Sequence, residues 1–461
     1  MAATYPSNYG ASLLSLSNIL KEYYLGPVTE QLNNEVLLVS RLEARSEDLV
    51  GKRAYVPLHY GRSTGIGARS EAAALPNAGQ QAYNKAVYDL KYLYGRVAVT
   101  GPSMAKTKNE AGAFLQALKS ELDGVRNDLR KDLARQIYSD GSGVISAITT
   151  ATNTSGSTWD LVVGYEAAAK GQFYVGMRVD TWSLGATPAS TSTGGVISSI
   201  ALDTTLPYTT ATLTVTGVTG TPAANNGVVR QGVQIYATSP APPDGVENPQ
   251  AWPGNVSGTF SGGTWSLSDE VDGLKRIVAD DPDTMSFGGI DVTDAANAWW
   301  KNISVASGAN GFALDTLQQV LNKVRIAGGV PSAMVTSFGI QRQIYNQLSD
   351  NVRYVDPESY EYASGYKSLM YNGMPIVADL DAPWGHVYVL DEGTMKVFSD
   401  QDWHFLDADG LTLRQTTGFD QFEAVMARYM NLGAVRRNVN AVITGCLIGS
   451  TSSAGSTDYG F

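Results

Sequence analysis

A chain of 461 residues is long enough to bury a large core and is expected to hold more than one domain. Hydrophobic residues make up 43% and charged residues only 17%, below the usual quarter, which suits a surface largely covered by partners. A net charge of −11 argues against a sequence-reading nucleic-acid binder, the lone Cys446 excludes an internal disulfide framework, and three histidines leave little for metal chemistry.

The charge is unevenly spread. Residues 1–140 carry 17 Lys and Arg against 14 Asp and Glu, whereas residues 141–461 carry 16 against 30. Head-to-tail docking of the first part of one copy on the acidic part of another would use this split; a solvated acidic body is the plainer reading. "MAATYPSNYGASLLSLSNIL" has no basic start and no continuous apolar stretch, so no secretory signal is expected. No run of about 18 apolar residues is present to span a membrane.

In chain order, Leu13, Leu16, Leu20 and Tyr23 predict a helix over 13–24 ended by Gly26 and Pro27, with a second short helix over 28–38. "KRAYVPLHY" (52–60) and "AVYDLKYLYGRVAVTG" (86–101) read as two β arms. The segment between them, "GRSTGIGARSEAAALPNAGQQ", has no hydrophobic stripe. The pair is therefore expected to form a long hairpin that projects from the core and must lie on something else. Gly61, Gly65 and Gly67 beside Arg62 and Arg69 would cradle a phosphate only with a following helix N-terminus or a Gly-Lys-Ser/Thr, and neither is there. A flexible hairpin tip is the better reading. Arg62, Ile66, Arg69 and Leu75 are its candidate contacts with a neighbouring subunit.

Ala111, Leu115, Leu118, Leu122, Val125, Leu129, Leu133 and Ile137 recur every three or four residues and predict a helix over 109–138. Thr107 with Glu110 has capping-box spacing, and Gly141 with Gly143 supplies the stop. Asp123–Arg126, Asp128–Lys131 and Asp132–Arg135 pair acid before base on the opposite face. Some thirty residues at about 1.5 Å each make a rod of about 45 Å, expected to lie on a sheet. Residues 144–240 then turn Thr-, Ser- and Gly-rich. "FYVGMRVDTW", "GGVISSIAL", "ATLTVTGV" and "GVQIYA" suggest an inserted β-barrel or sandwich, followed by the proline-rich "SPAPPDGVENPQAWPGN" (239–255).

From about residue 265 the pattern is α+β. Leu314, Leu317, Leu321 and Val324 predict a helix stopping at Gly328-Gly329, "PSAMVTS" a buried strand and "FGIQRQIYNQL" a further helix. In "GMPIVADLDAPWGHVYVLDEGTMKVF" (373–398), Asp381, Pro383 and Gly385 are turn formers, so a hairpin is expected, with Asp379, Asp381, Asp391 and Glu392 at strand ends, where acids cap or face water. His386 has no second nitrogen ligand nearby, and His404 lies beyond another turn, so neither is expected to hold a metal or perform catalysis. Asp407, Asp409 and Gly410 in "DADG" fail the EF-hand pattern and read as a turn. Serine-nucleophile, HExxH and phosphate motifs are missing. No catalytic residue, cofactor or metal is expected. Two more strands are expected near 421–430 and 439–448, then a flexible tail over 451–461.

This order of elements resembles the major capsid (head) proteins of tailed bacteriophages, whose fold is shared with encapsulin shells. "GGVPSAMVTSFGIQRQIY", "YNGMPIVADLDAPWGHVYVLDEGTMKVF" and "ARYMNLGAVRRNVNAVITG" are similar to the later strands and helices of that family. The resemblance implies an α+β chain with an N-terminal arm (1–51), an extended β-hairpin loop (52–106) and a spine helix of the peripheral domain (107–143). An inserted all-β domain (144–240) follows, then the rest of the peripheral domain with an axial α+β domain (241–450) and a flexible tail (451–461). It also implies self-assembly into hexamers and pentamers of an icosahedral shell around non-specifically packaged double-stranded DNA. Assembly would take place in the host bacterial cytoplasm with scaffolding, portal and decoration proteins. No long scaffolding segment precedes the arm, which implies a separate scaffolding protein or a segment already removed. An encapsulin-like nanocompartment shell and a secreted β-rich adhesin or glycosidase are the alternatives.

Overall fold

A computed structural model describes residues 37–44, 46–49, 53–71, 73–103, 117–184, 188–204, 209–236, 259–260, 263–264, 267–307, 311–349, 369–407 and 412–446. The predicted helix at 13–24, most of that at 28–38, the Thr107–Glu110 cap, the proline-rich stretch, Asp409 with Gly410 and the tail lie outside these residues.

Helix α1 (Leu37–Glu43) buries Leu38, Val39 and Leu42, and β1 (Ser46–Asp48) pairs in parallel with residues 397–399. Strands β2 (Arg53–Gly61) and β3 (Ala82–Asp89) form the expected hairpin, from Arg53 opposite Asp89 to His59 opposite Tyr83. The second predicted arm, 86–101, is not one strand. Past Leu90 the chain enters β4 (Lys91–Thr100), which leaves the hairpin and pairs with residues 421–430 in a different sheet. A period-two alternation runs through both halves, so the pattern itself does not mark the change of partner.

Helix α2 (Ala117–Tyr138) lies on β4, with Val125 and Leu129 directly over Gly95, where a Cβ would collide with both side chains. Its last turns bury Leu133, Ala134, Ile137 and Tyr138, and the chain leaves through Gly141 and Gly143 at φ +74° and +77°. Of the acid–base pairs expected on the opposite face, Asp132–Arg135 forms, and it is drawn into the interior. Arg135 and Arg230 bond Asp132 at 3.0 and 2.9 Å, Arg135 also bonds Glu270, and Arg135 and Glu270 are buried. Against the upward push of burial, Arg135 and Arg230 hold the Asp132 carboxyl below its ordinary range, whereas burial raises Glu270.

Seven strands follow: β5 (Ser146–Ser155), β6 (Thr158–Gly164), β7 (Arg178–Ser183), β8 (Ser190–Leu202), β9 (Thr210–Thr216), β10 (Thr219–Gly220) and β11 (Asn226–Arg230). Helix α3 (Tyr165–Ala169) sits between β6 and β7. The pairing runs β8–β7–β11–β5–β6–β9 and returns to β8, so six strands close a barrel, and β10 adds to β8 outside the ring. Leu161, Val163, Leu213, Val215 and Val228 fill it at 0–1% exposure. "FYVGM" of the predicted strand is not extended ladder; Phe173 and Met177 plug the core from a turn instead.

Two short ribbons follow, Ile235–Tyr236 with Leu267–Ser268 and Thr259–Phe260 with Gly263–Thr264. Helix α4 (Leu274–Ile277) and a 3₁₀ turn (Ala295–Trp300) come next. The remaining elements are β12 (Ile303–Ala306), α5 (Leu314–Ile326), β13 (Ala333–Thr336), α6 (Phe338–Ser349), β14 (Leu369–Tyr371), β15 (Met374–Ala378) and β16 (Val387–Leu390). They are completed by β17 (Met395–Phe405), β18 (Arg414–Gln415), β19 (Gln421–Ala434) and β20 (Ala441–Thr444). One sheet runs β1–β17–β19–β18 with β4 also on β19; the other runs β12–β20–β16–β13–β15–β14.

The stretch 373–398 is not the hairpin expected. β15 and β16 both pair with β13, which lies between them, parallel to one and antiparallel to the other. All four residues of β13 are fully buried, so this apolar strand takes the central place, and "DAPWG" crosses its end. The hairpin at this site is β14–β15, closed by Asn372 and Gly373 at φ +51° and +78°, the pair of positive φ values that a type I′ turn requires. Asp379, Asp381 and Glu392 do not face water either. They are 2–5% exposed because each is spent on tying elements together.

Candidate assembly surface

The hairpin is held by its own body at the base. Ala54, Leu58, Ala86 and Tyr88 point inward and are buried, the Val87 N–H donates to the Gly288 carbonyl at 3.0 Å, and Tyr60 stacks on Trp299 at 4.6 Å. Tyr88 fixes the attachment. Its hydroxyl donates to the Ala434 carbonyl at 2.6 Å and accepts the Ala434 N–H at 3.2 Å, while its ring lies between Phe287 and Phe398. The expectation that the whole hairpin lacks a core is thus corrected for the base: two strands with one apolar face hold their place once that face meets a core.

The tip is different. Arg62, Ile66, Arg69 and Leu75 are all exposed, Ile66 at 79% and Leu75 at 85%. Hydrogen bonds at the tip are local: the Gly65 N–H donates to Ser63 Oγ at 3.2 Å, and Arg69 Nη1 donates to the Ala68 carbonyl at 3.0 Å. The structure brings the four residues to one projecting segment and buries none of them.

A second feature was not legible from the sequence. The crossover 379–386 joins most of the molecule. Asp379 Oδ2 accepts from the Leu38 N–H of α1 at 3.3 Å and from the Tyr138 hydroxyl of α2 at 2.9 Å. Lys131 of α2 bonds Asp381 at 2.8 Å. From the barrel, the Lys170 ammonium donates to the Ala382 carbonyl at 2.7 Å, and Glu166 accepts the Trp384 N–H at 2.8 Å. His386 faces the Trp384 carbonyl at 2.8 Å and Asp280 at 3.2 Å. Burial raises the Asp379 carboxyl, with the charge of Asp381 adding to the effect. A cavity of about 270 Å³ opens at this junction, lined among others by Tyr138, Asp140, Lys170, Lys275 and Asp381.

The junction has no catalytic arrangement. Lys170 is saturated by Glu166 and two carbonyls, and His386 is bonded at both ring nitrogens. His404 lies apart on β17, against the Asp402 carbonyl and Tyr429. Among the described residues no group of three or more His, Cys, Asp or Glu is placed to hold a metal ion. No helix of the described residues is long and apolar enough to cross a membrane.

No family model and no curated protein matches the chain. Solved structures do. A chain of the cyanophage A-1(L) capsid asymmetric unit is 13% identical, with 94% of this chain and 99% of that chain covered and a TM-score of 0.53. A capsid chain of a native GTA particle is 9% identical over 95% and 99%, with a TM-score of 0.49. The holo-SrpI encapsulin complex from Synechococcus elongatus PCC 7942 is 7% identical over 97% and 100%, with a TM-score of 0.46. The chain therefore has the fold that its sequence resemblance implies, that of phage major capsid proteins.

Proposed function

We propose that this chain is the structural subunit of a phage capsid, assembling into hexamers and pentamers of an icosahedral shell around double-stranded DNA. The observation that carries the reading is the exposed tip of residues 62–81 on a chain with a phage capsid fold. Ordering a backbone residue costs about 1–2 kcal/mol, so the tip needs a surface to lie on. A second copy supplies it: burial of Ile66 and Leu75 and strand contacts dominate, while exposed arginine pairs at Arg62 or Arg69 add about 0–1 kcal/mol each. Such head-to-tail contacts close into rings, and rings tile a shell.

In this reading the barrel is an accessory domain on the outer side of the shell, which its separate core and its separation from the two body sheets support. The subunit performs no catalysis. Its partners are itself, a scaffolding protein, a portal and decoration proteins, with DNA held without sequence preference. Assembly takes place in the bacterial cytoplasm and the mature location is the virion.

Negative-stain electron microscopy of the purified chain tests this. Closed particles are expected, and deletion of 61–80 is expected to leave folded chains that form none. Particles of normal size and heat resistance from the deletion variant would refute the role of the tip. A chain that never assembles in any condition, with scaffolding protein present, would refute the shell.

A further inference from the structure

Three asparagines of the chain are followed by glycine: Asn226, Asn310 and Asn372. Asn310 lies outside the described residues. The other two are placed in opposite ways. Asn226 is 5% exposed on β11, and its side-chain amide donates to Thr191 Oγ1 at 2.7 Å. Gly227 lies in the barrel ladder between Ala147 of β5 and Trp182 of β7, and a Cβ there would collide with Val144 and Leu184. Asn372 and Gly373 are both exposed at the turn between β14 and β15, and among the described residues the Asn372 side chain makes no hydrogen bond. A Cβ on Gly373 would meet nothing within 4 Å, so the 372–373 peptide has room to turn. Rotating that one peptide converts the type I′ turn into its II′ counterpart while Tyr371 and Met374 stay opposite each other. Gly373 accepts the negative φ this requires, and the rotation swings its nitrogen towards the Asn372 side-chain carbonyl.

We propose that the Asn372-Gly373 turn is a site of spontaneous chemical modification, at which this asparagine becomes a mixture of aspartyl and isoaspartyl residues while Asn226 is preserved. The Gly373 amide nitrogen attacks Asn372 Cγ and gives its proton to solvent base. The Cγ–Nδ2 bond breaks, ammonia leaves, and a cyclic imide closes. Water then adds to either imide carbonyl and opens the ring, so the net change is one water consumed and one ammonia released, with no oxidant or reductant. Opening at the backbone carbonyl leaves the main chain running through Asn372 Cβ and Cγ, which adds one carbon to the turn and a new negative charge to its surface. The length of a tight turn fixes the register of its hairpin, so the lengthened turn releases β14 from β15. β14 is the outer strand of its sheet, and from it the Tyr371 hydroxyl donates to Gln318 Oε1 of α5 at 3.2 Å. That tie is lost with the register, so the turn loosens one edge of the sheet as the chain ages.

The test holds the full, unassembled chain for several weeks at mildly alkaline pH and maps its peptides by mass spectrometry. Protein isoaspartyl methyltransferase with a labelled methyl donor is the probe for the isoaspartyl product. A side-chain bond and a ladder bond must open before Asn226 can react and neither before Asn372, so conversion at 372 should be at least about thirtyfold faster. The label should appear on the peptide that holds residue 372, and hydrogen exchange in Leu369–Tyr371 should speed up in the aged chain. Asn372→Gly suits the positive φ and has no amide to lose, so it should abolish both changes with the fold intact. An amide still intact at 372, equal conversion at 226, a label on that peptide in Asn372→Gly, or unchanged exchange in β14 after conversion would each overturn the proposal.

Discussion

Replacing Tyr88 by phenylalanine removes one oxygen and leaves the ring where it stands. The residue is 1% exposed, and its hydroxyl bonds both the Ala434 carbonyl and the Ala434 N–H. A buried backbone group left without its partner costs about 1–3 kcal/mol, so two such groups together cost about 2–6 kcal/mol. Packing against Phe287 and Phe398 at 5.3 Å is retained, so no cavity adds to this. Urea unfolding of unassembled chains followed by tryptophan fluorescence should show a lower midpoint with an unchanged slope. Tyr94→Phe is the matched control at an exposed ring and should stay within about 0.5 kcal/mol. Hydrogen exchange should speed up in β2 and β3 more than in the barrel, because Tyr88 joins the hairpin to β19. A loss below about 0.5 kcal/mol, or equal acceleration in the barrel, would refute this account of how the hairpin is held.

Lys131→Met leaves the Asp381 carboxylate buried without its cation and should cost about 3–5 kcal/mol by denaturant unfolding, with much of the loss recovered in the Lys131→Met/Asp381→Asn pair. Against the upward push of burial, the hydrogen bond to His386 holds Asp280 below its ordinary carboxyl range. Its contribution to stability is therefore present above that ordinary value and is lost as pH falls through the lowered one, so Asp280→Asn should flatten the acid limb of the stability–pH curve. Burial pushes the Cys446 thiol up to about 12, so the native chain should resist a thiol reagent at neutral pH and react at once when unfolded. Alanine at both His386 and His404 should leave assembly intact, and a stoichiometric transition metal lost on that change, read by elemental analysis, would contradict it.

The helices were the legible part. Leu317, Leu321 and Val324 recur on one stripe and are fully buried in α5, and Leu133 with Ile137 behaves the same way in α2. Strand existence was also legible, but strand partnership was not. "MPIVADL" and "HVYVLD" are adjacent in sequence and contain turn formers between them, yet "AMVT" lies between them in the sheet. That order depends on the crossover through α6, which no local pattern encodes. Asn372-Gly373 is the strongest short hairpin signal in the region, and it, not the longer "DAPWG", closes the hairpin. The acids of 379–392 misled for another reason: exposure is the common fate of a carboxylate, and only the positions of Lys131, Arg41, Tyr138 and the α1 amide show why these three are inside. The tip residues Arg62, Ile66, Arg69 and Leu75 were found by the same logic that placed them outside, namely the lack of any stripe to bury.

The closed ring of the barrel bears on crowding between copies. An open sheet presents a row of free N–H and carbonyl groups along each outer strand, and an identical sheet held next to it is the readiest partner for them. In the barrel β8 finds β9 as well as β7, so the six strands of the ring have both sides occupied within the chain. Only the two-residue β10, hung on β8, interrupts this. Modules of this kind can be packed side by side at very high local concentration without exchanging strands, whereas β4, β12 and β14 end their sheets with no further strand paired to them among the described residues.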